Sequence, residues 1–364
     1  MASSRIRVGV IGTSGWADLE HLPGLAARGD VEVSALCGRD RARLEALAAK
    51  HGVPGTFTDW RELLASGLDA VVIATPNALH HPQAAAALDA GLHVICEKPL
   101  GLRLDEALDL VARAERRGRA ALTFFTHRSV AAALQARRIV ESGALGRLLQ
   151  ARASYLTGSQ LRPGKPLSWR MRRAEAGTGA LGDIGSHVID LLRWWMGDFA
   201  RVVAQWQVAV RDRAGGEVDA DDATAFLAEM TSGARVVVEA SKLAAGRVNE
   251  LRVELHGEKA SLVFEVDAGN DPTWEGRLWM GHADRPGLEP VALPRELTEG
   301  LDAPDERACR AAAYRRLTDP FFAAVARGGG PVTPGFREGA AVQAVLDAVA
   351  RAAEEGRWVE VEGV

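Results

Sequence analysis

Two clusters of side chains are suited to chemistry. Glu97-Lys98-Pro99 follows the apolar run Val94-Ile95-Cys96, just after the turn signal Ala90-Gly91. The run reads as a buried strand, so a carboxylate and an ammonium stand at its carboxyl end, the edge at which open α/β sheets bind ligands. The second cluster lies in Gly182-Asp183-Ile184-Gly185-Ser186-His187-Val188-Ile189-Asp190. Asp183, His187 and Asp190 are four and three residues apart, so on a helix they share one face, with Ile184, Val188, Leu191, Leu192 and Trp195 on the other. An imidazole among carboxylates can take and return a proton near neutral pH. A chance surface pair at this spacing contributes only roughly 0.3 kcal/mol. Gly182 and Gly185 each cost about 1 kcal/mol relative to alanine in a helix, which points instead to close approach by another group.

These groups need a scaffold, and the first half of the chain supplies one. Residues 6–11 read as a buried strand that leads into Gly12-Thr13-Ser14-Gly15-Trp16-Ala17 and a helix over 17–28. Small residues in such a turn let backbone amides approach a pyrophosphate at the positive end of the helix. A second strand over 31–37 completes the βαβ unit and ends in Cys37-Gly38-Arg39. An NAD site usually carries an acidic residue there. A small residue followed by a guanidinium favours the 2′-phosphate of NADP, and Asp40 leaves NAD open. Strands over 55–59, 70–74, 93–96 and 121–125 alternate with helices over 39–50, 60–66, 82–90 and 104–117, which makes a doubly wound parallel sheet. Right-handed crossovers then put Gly12, Thr75, Pro76, Asn77, Glu97 and Lys98 on one rim. His80 and His81, at a helix start, read as capping or solvated rather than catalytic.

After a helix over 131–142 the pattern changes to strands over 147–155, 202–210, 224–230, 235–240, 250–256 and 260–266, several alternating as in a half-buried antiparallel sheet. The fold class is therefore α/β: an N-terminal Rossmann sheet followed by an α/β domain with a large open, mostly antiparallel sheet. The expected division is a dinucleotide-binding domain over 1–125 and a substrate-binding, oligomerising domain over 126–364. Surface loops are expected over 269–276 and 285–305. The 364 residues are 47% apolar and 25% charged with a net charge of −4, which gives no nucleic-acid footprint. No run is long enough for a membrane span, and the first seven residues contain no signal core. Cys37, Cys96 and Cys309 lack metal-ligand spacing, so no metal site is expected and a reducing cytoplasm is.

Taken together, these stretches resemble the Gfo/Idh/MocA family of NAD(P)-dependent oxidoreductases along nearly the whole chain. The matching residues are Val8-Gly9-Val10-Ile11-Gly12, Thr75-Pro76-Asn77 with His80, Glu97-Lys98-Pro99, Trp169-Arg170, and Gly179 through Asp183 to His187 and Asp190. Pro334-Gly335-Phe336-Arg337-Glu338-Gly339 and Gly356-Arg357-Trp358 match the family's last helix and strand. The resemblance implies dinucleotide contacts from Gly12, Thr13, Ser14, Gly15, Trp16, Gly38, Arg39, Thr75, Pro76, Asn77, His80, Glu97 and Lys98. It implies that Lys98 meets the substrate near the nicotinamide, with a cis bond before Pro99. His187 would exchange a proton with the reacting hydroxyl or carbonyl, Asp183 would bind or orient, and Trp169 and Arg170 would form the sugar-side wall. It further implies a homodimer or homotetramer packed through the open sheet. Ser14 replaces the usual second glycine, and Gly177-Thr178-Gly179 replaces a triple glycine.

The expected reaction is reversible hydride transfer between nicotinamide and a secondary alcohol or ketone of a sugar, cyclitol or related polyol, with no nucleic-acid or membrane partner. Two other readings stay open on the sequence: a non-catalytic dinucleotide-binding sensor, and a redox-assisted glycosidase. Phe124, His127, Arg128, Tyr155 and Arg172 are further candidates for the substrate wall. Arg128 is equally well read as a salt-bridge partner and Tyr155 as a core residue. Arg170, Arg172 and Arg173 form a basic run that reads either as solvated or as an anion contact.

Overall fold

The structure is a computed structural model that describes residues 5–267, 269, 273–300 and 306–364. Parts of the two expected loops, at 268, 270–272 and 301–305, lie outside the described residues, as do residues 1–4 of the amino-terminal stretch. The chain forms two compact units, one from 1–125 with 310–340 and one from 126–309 with 341–364. A single division at 125/126 thus leaves out the return of 310–340 to the first unit.

Among the described residues of the first unit, β1 (Ile6–Ile11), β2 (Val31–Cys37), β3 (Gly55–Phe57), β4 (Ala70–Ile73), β5 (His93–Cys96) and β6 (Ala121–Thr123) form one parallel sheet in the order β3-β2-β1-β4-β5-β6. β4 and β5 are buried at every residue, as strands covered on both faces must be. One face packs Leu25, Leu36 and Leu44 against Tyr314, Leu317 and Phe321, which explains why 310–340 belongs here. The other face packs Ile73, Val94 and Leu63 against Leu88 and Leu110. The helices begin and end where their caps dictate. Asp40 and Asp59 accept backbone N–H bonds at helix starts, and Gly52 and Gly118 adopt φ 67° and 61° at helix ends. The expected helix over 17–28 is instead a π-type segment, Ala17–His21, continued by the α-helix Leu22–Ala26.

The second unit contains β7 (Leu148–Leu156), β8 (Phe199–Gln207), the small hairpin β9 (Asp212–Arg213) and β10 (Gly216–Glu217), β11 (Ala223–Met230), β12 (Arg235–Ser241), β13 (Glu250–Gly257), β14 (Ala260–Asp267), β15 (Arg277–His282), β16 (Glu289–Pro290) and β17 (Val359–Glu360). Its nine-stranded sheet among the described residues runs β16-β15-β14-β13-β7-β12-β11-β8-β17. β7 and β12 pair in parallel, and the other strand pairs of this sheet among the described residues are antiparallel. β8 stops at Gln207 although the alternation continues to Val210. The Asp222 carboxylate takes the Ala209 and Val210 N–H groups at 3.0 and 2.9 Å and ends the ladder. One face is buried under helices Ala131–Glu141 and Ser186–Met196, with Trp195 edge-on to Phe264 at 5.2 Å. The opposite face leaves the cross-strand pair Leu227 and Val237 at 49% and 41% exposure.

Candidate active site

In the first unit, β1 ends in Gly12 at φ 125°, where a Cβ would collide with the Ala74 carbonyl oxygen after β4. Only glycine permits this approach at the point where the strand order reverses. Gly38 leaves the same kind of room for Thr13 at the end of β2. Ser14 Oγ accepts a bond from Ala17 N at 3.3 Å, so the residue that replaces a glycine closes the first turn of the helical segment. No atom lies within 4 Å of where a Gly15 Cβ would stand. This open edge of small residues ahead of a helical segment fits a pyrophosphate. Asp40 is committed as a cap, accepting from Arg43 N at 3.1 Å, and Arg39 beside it is exposed.

The rim continues through Thr75, whose hydroxyl donates to Gln83 Oε1 at 2.7 Å, then Pro76 and the buried Asn77. His80 is buried with its ring nitrogens 2.8 Å from the Pro99 carbonyl and 3.0 Å from the Thr75 carbonyl. It joins the loop after β4 to the one after β5, so it does structural work that the sequence did not show. Burial pushes its pKa below the ordinary imidazole value, against the opposing pull of the two carbonyls. The Lys98–Pro99 bond is cis, as the resemblance implied. Glu97 Oε1 accepts from Trp16 Nε1 at 2.8 Å and from the buried His21 Nε2 at 2.9 Å. Burial alone would raise the Glu97 pKa. The His21 hydrogen bond and the charges of His21 and Lys98 outweigh it and hold the carboxyl below its usual range. Lys98 follows half-buried at the end of β5.

In the second unit, the stretch bearing Asp183 is a π-type turn, Leu181–Gly185, that runs into the α-helix Ser186–Met196. Such wide turns re-aim side chains and recur at functional sites. Ile184, Val188, Leu191, Leu192 and Trp195 are all buried, as their spacing predicts. Asp190 is held in a buried ion pair. Its carboxylate takes both arms of buried Arg128, at 2.6 and 2.8 Å, which also settles Arg128 as a salt-bridge partner. The glycine that close approach requires is Gly179 rather than Gly185. A Cβ on Gly179 would collide with the Asp221 carbonyl oxygen, whereas one on Gly185 would make ordinary contact at 3.4 Å.

Asp183 is the more open of the acids on this segment, its side chain 29% exposed. Lys242 Nζ lies 2.9 Å from Oδ2, and Arg170 Nε lies 3.6 Å from Oδ1 while its guanidinium stacks over Trp169 at 4.3 Å. His187 is buried, its ring edge-on to His127 at 4.4 Å and 6.2 Å from that of Tyr155. Tyr155 is a core residue of β7, and burial first, then the Asp183 charge, pushes its phenol well above the ordinary value. Phe124 is likewise core, 5.3 Å from Tyr314, and Arg172 is exposed beside Glu175. Lys165, whose amine donates to the Ser159 carbonyl and Gln160 Oε1, is pushed down to about 8 by burial and by the charges of Lys242, Arg213 and Arg162.

Residues that the sequence reading missed hold this segment in place. Asp221 accepts from Gly179 N at 2.5 Å, Leu181 N at 2.9 Å and Thr224 Oγ1 at 2.8 Å. Lys242 directly follows β12, a lysine at a strand end, much as Lys98 stands two residues beyond the end of β5. That parallel was available in the sequence. No helix among the described residues is long and apolar enough to cross a membrane, and none of their His, Cys, Asp and Glu side chains form a group that could hold a metal ion.

Two family models match the chain. The model for an oxidoreductase family with an NAD-binding Rossmann fold covers residues 6–125, and the GFO/IDH/MocA C-terminal domain model covers 133–263. Levoglucosan dehydrogenase of Pseudarthrobacter phenanthrenivorans is 33% identical over 86% of this chain and 85% of its own length. D-xylose 1-dehydrogenase (NADP(+)) 2 of Haloferax volcanii is 29% identical over 97% of this chain and 99% of its own. The solved structure of levoglucosan dehydrogenase in complex with NADH and levoglucosan is 30% identical, with a TM-score of 0.89 covering 99% of this chain and 100% of that one. The chain belongs to the Gfo/Idh/MocA family of oxidoreductases.

Proposed function

We propose that the protein interconverts a secondary alcohol and a ketone on a sugar or related polyol, with Lys98, Asp183 and His187 acting on the same substrate. The bound dinucleotide supplies the hydride acceptor or donor. The chain's own residues manage charge and the hydroxyl proton. His187 takes that proton during oxidation and returns it during reduction, the task for which imidazole is suited near neutral pH. Lys98 stabilises the developing alkoxide, and Asp183 accepts a hydrogen bond from the substrate and orients it. Trp169 and Arg170 flank the sugar, since Arg170 stands beside Asp183 with its plane stacked on Trp169.

The observation that carries the reading is the pairing of Asp183, partly open, with His187, buried, at the start of one helical segment held by Asp221. Similarity to a levoglucosan dehydrogenase and a D-xylose dehydrogenase supports the sugar class. For the cofactor we propose NADP, read by Gly38 and Arg39. Support comes from the exposed Arg39 beside the small Gly38, with Asp40 giving one carboxylate oxygen to a helix cap. The exposed strip around Leu227 and Val237 suits a second copy of the chain, giving a homodimer or homotetramer, and three buried cysteines suit a reducing cytoplasm.

Thermal-shift titration with NAD, NADP and a panel of sugars, levoglucosan and D-xylose among them, tests the reading, because a bound ligand raises the melting temperature by mass action. A rise with NADP, and a further rise with one sugar that then yields reduced cofactor, is expected. A rise with NAD alone contradicts the assignment of Arg39, and the absence of hydride transfer with every sugar contradicts the substrate class.

A further inference from the structure

We propose that Lys242 is a positioning residue for this reaction: its ammonium fixes the Asp183 carboxylate, ionised and in one orientation, so that Asp183 binds substrate while His187 alone carries the proton. The proposal rests on the reading above, in which Asp183 and His187 serve the reacting hydroxyl.

The geometry distinguishes the two cations on Asp183. Arg170, 44% exposed and 3.6 Å away, is screened by water and weakly constraining. The Lys242 side chain is 5% exposed and 2.9 Å away, and the same amine lies 3.4 Å from the Gly179 carbonyl oxygen. Its backbone is held on both sides, N–H donating to the Asp222 carbonyl at 2.8 Å and C=O accepting from Gln160 N at 3.0 Å. Lys242 thus reaches a fixed point beside the π-type turn, and Asp221 fixes the other side of Gly179. The charged and titratable groups near Asp183 include Lys242 after β12, Arg170 from the 169–171 turn, Lys165 from its loop and Tyr155 from β7, with His187 four residues on in the same helical segment. Removing the buried cation from this set raises the proton affinity of the carboxylate and frees it to rotate. Asp183 then competes with His187 for the proton.

The test compares the intact wild-type chain with Lys242→Met and Lys242→Arg. Kinetics on the best sugar of the panel are read as a pH profile, and the Asp183 carboxyl is titrated by carbon-13 NMR, its signal identified by its loss in Asp183→Asn. Lys242→Met is expected to lower kcat/KM roughly 10- to 100-fold, the range for groups that orient a functional side chain. It should also move the acid limb of the profile and the Asp183 titration to higher pH, with unchanged dinucleotide affinity. Lys242→Arg restores most of the loss. An Asp183 titration identical in Lys242→Met and wild type overturns the proposal, as does an unmoved acid limb. The NMR readout needs no turnover. If no sugar is oxidised by the wild type, the function fails while the pairing is still decided. Lys242→Gln replaces Lys242→Met if that variant does not fold.

Discussion

Glu97 and Asp183 are both carboxylates within a few residues of a catalytic candidate, and both face cations, yet their settings are opposite. Glu97 is 8% exposed, with Oε1 shared between Trp16 and His21 and Oε2 3.4 Å from the Lys98 N–H. Asp183 has a side chain 29% exposed, with a buried lysine on one oxygen and an exposed arginine near the other. The first carboxylate spends its hydrogen bonds inside the protein and ties the glycine turn to the strand that ends beside Lys98. The second is partly open to solvent. Residue type alone does not separate an architectural acid from a reactive one; solvent access and the fixity of its partners do.

Substitutions on the two sides should break along that line. The largest effect is expected at His187. His187→Ala should reduce turnover by roughly two to four decades, the range for a lost general acid–base, with dinucleotide affinity unchanged. Asp183→Asn should likewise act chiefly on catalysis, with a smaller loss of stability than at Glu97, because the amide oxygen still offers the buried Lys242 ammonium an acceptor. Glu97→Ala should do the reverse. Leaving buried His21 without its hydrogen-bond acceptor costs about 2 kcal/mol of stability, measurable by urea unfolding. A Glu97→Ala protein as stable as the wild type would contradict a structural role for this carboxylate.

A smaller effect belongs to the back of the first sheet. His93 is 4% exposed, and its Nδ1 accepts the Ala120 N–H at 3.0 Å, which requires the neutral ring. Burial first, then the Arg119 charge, pushes its pKa down to about 4 from 6.5. A folded-state pKa below the unfolded one means that the unfolded chain binds the extra proton, so this stability is fully present above pH 6.5 and is lost as pH falls toward 4. The lost stability amounts to about 3 kcal/mol at most. Urea unfolding at pH 7 and pH 4.5 should show a steeper loss in wild type than in His93→Gln, and equal losses would contradict it. The smallest expected effect is at Arg39. Arg39→Ala should weaken NADP relative to NAD by roughly tenfold, the equivalent of about 1.4 kcal/mol for one exposed charge-assisted contact.

Much of the molecule could be read directly from the chain. Continuous apolar runs such as 70–74, alternating with helical stretches, read as doubly covered parallel strands, and the spacing of Val188, Leu191, Leu192 and Trp195 fixes the buried face of their helix. What escaped were features set by distant partners. The return of 310–340 depends on Tyr314 and Phe321 meeting Leu25 and Leu36, which no local pattern announces. The end of β8 is decided by the Asp222 side chain, and Asp190 is held in a buried ion pair by Arg128. The fit of Ser14 into a glycine's place came from a hydrogen bond three residues on.

A double-mutant cycle on Lys98 and His187 measures most directly whether they serve one reacting centre. Lys98→Met, His187→Ala and the double variant would be compared by kcat/KM for the sugar that the wild type oxidises. Groups that act on the same transition state are strongly non-additive, so the double variant should be little slower than the slower single one. A double variant whose loss equals the product of the single losses would show two independent sites and contradict the account.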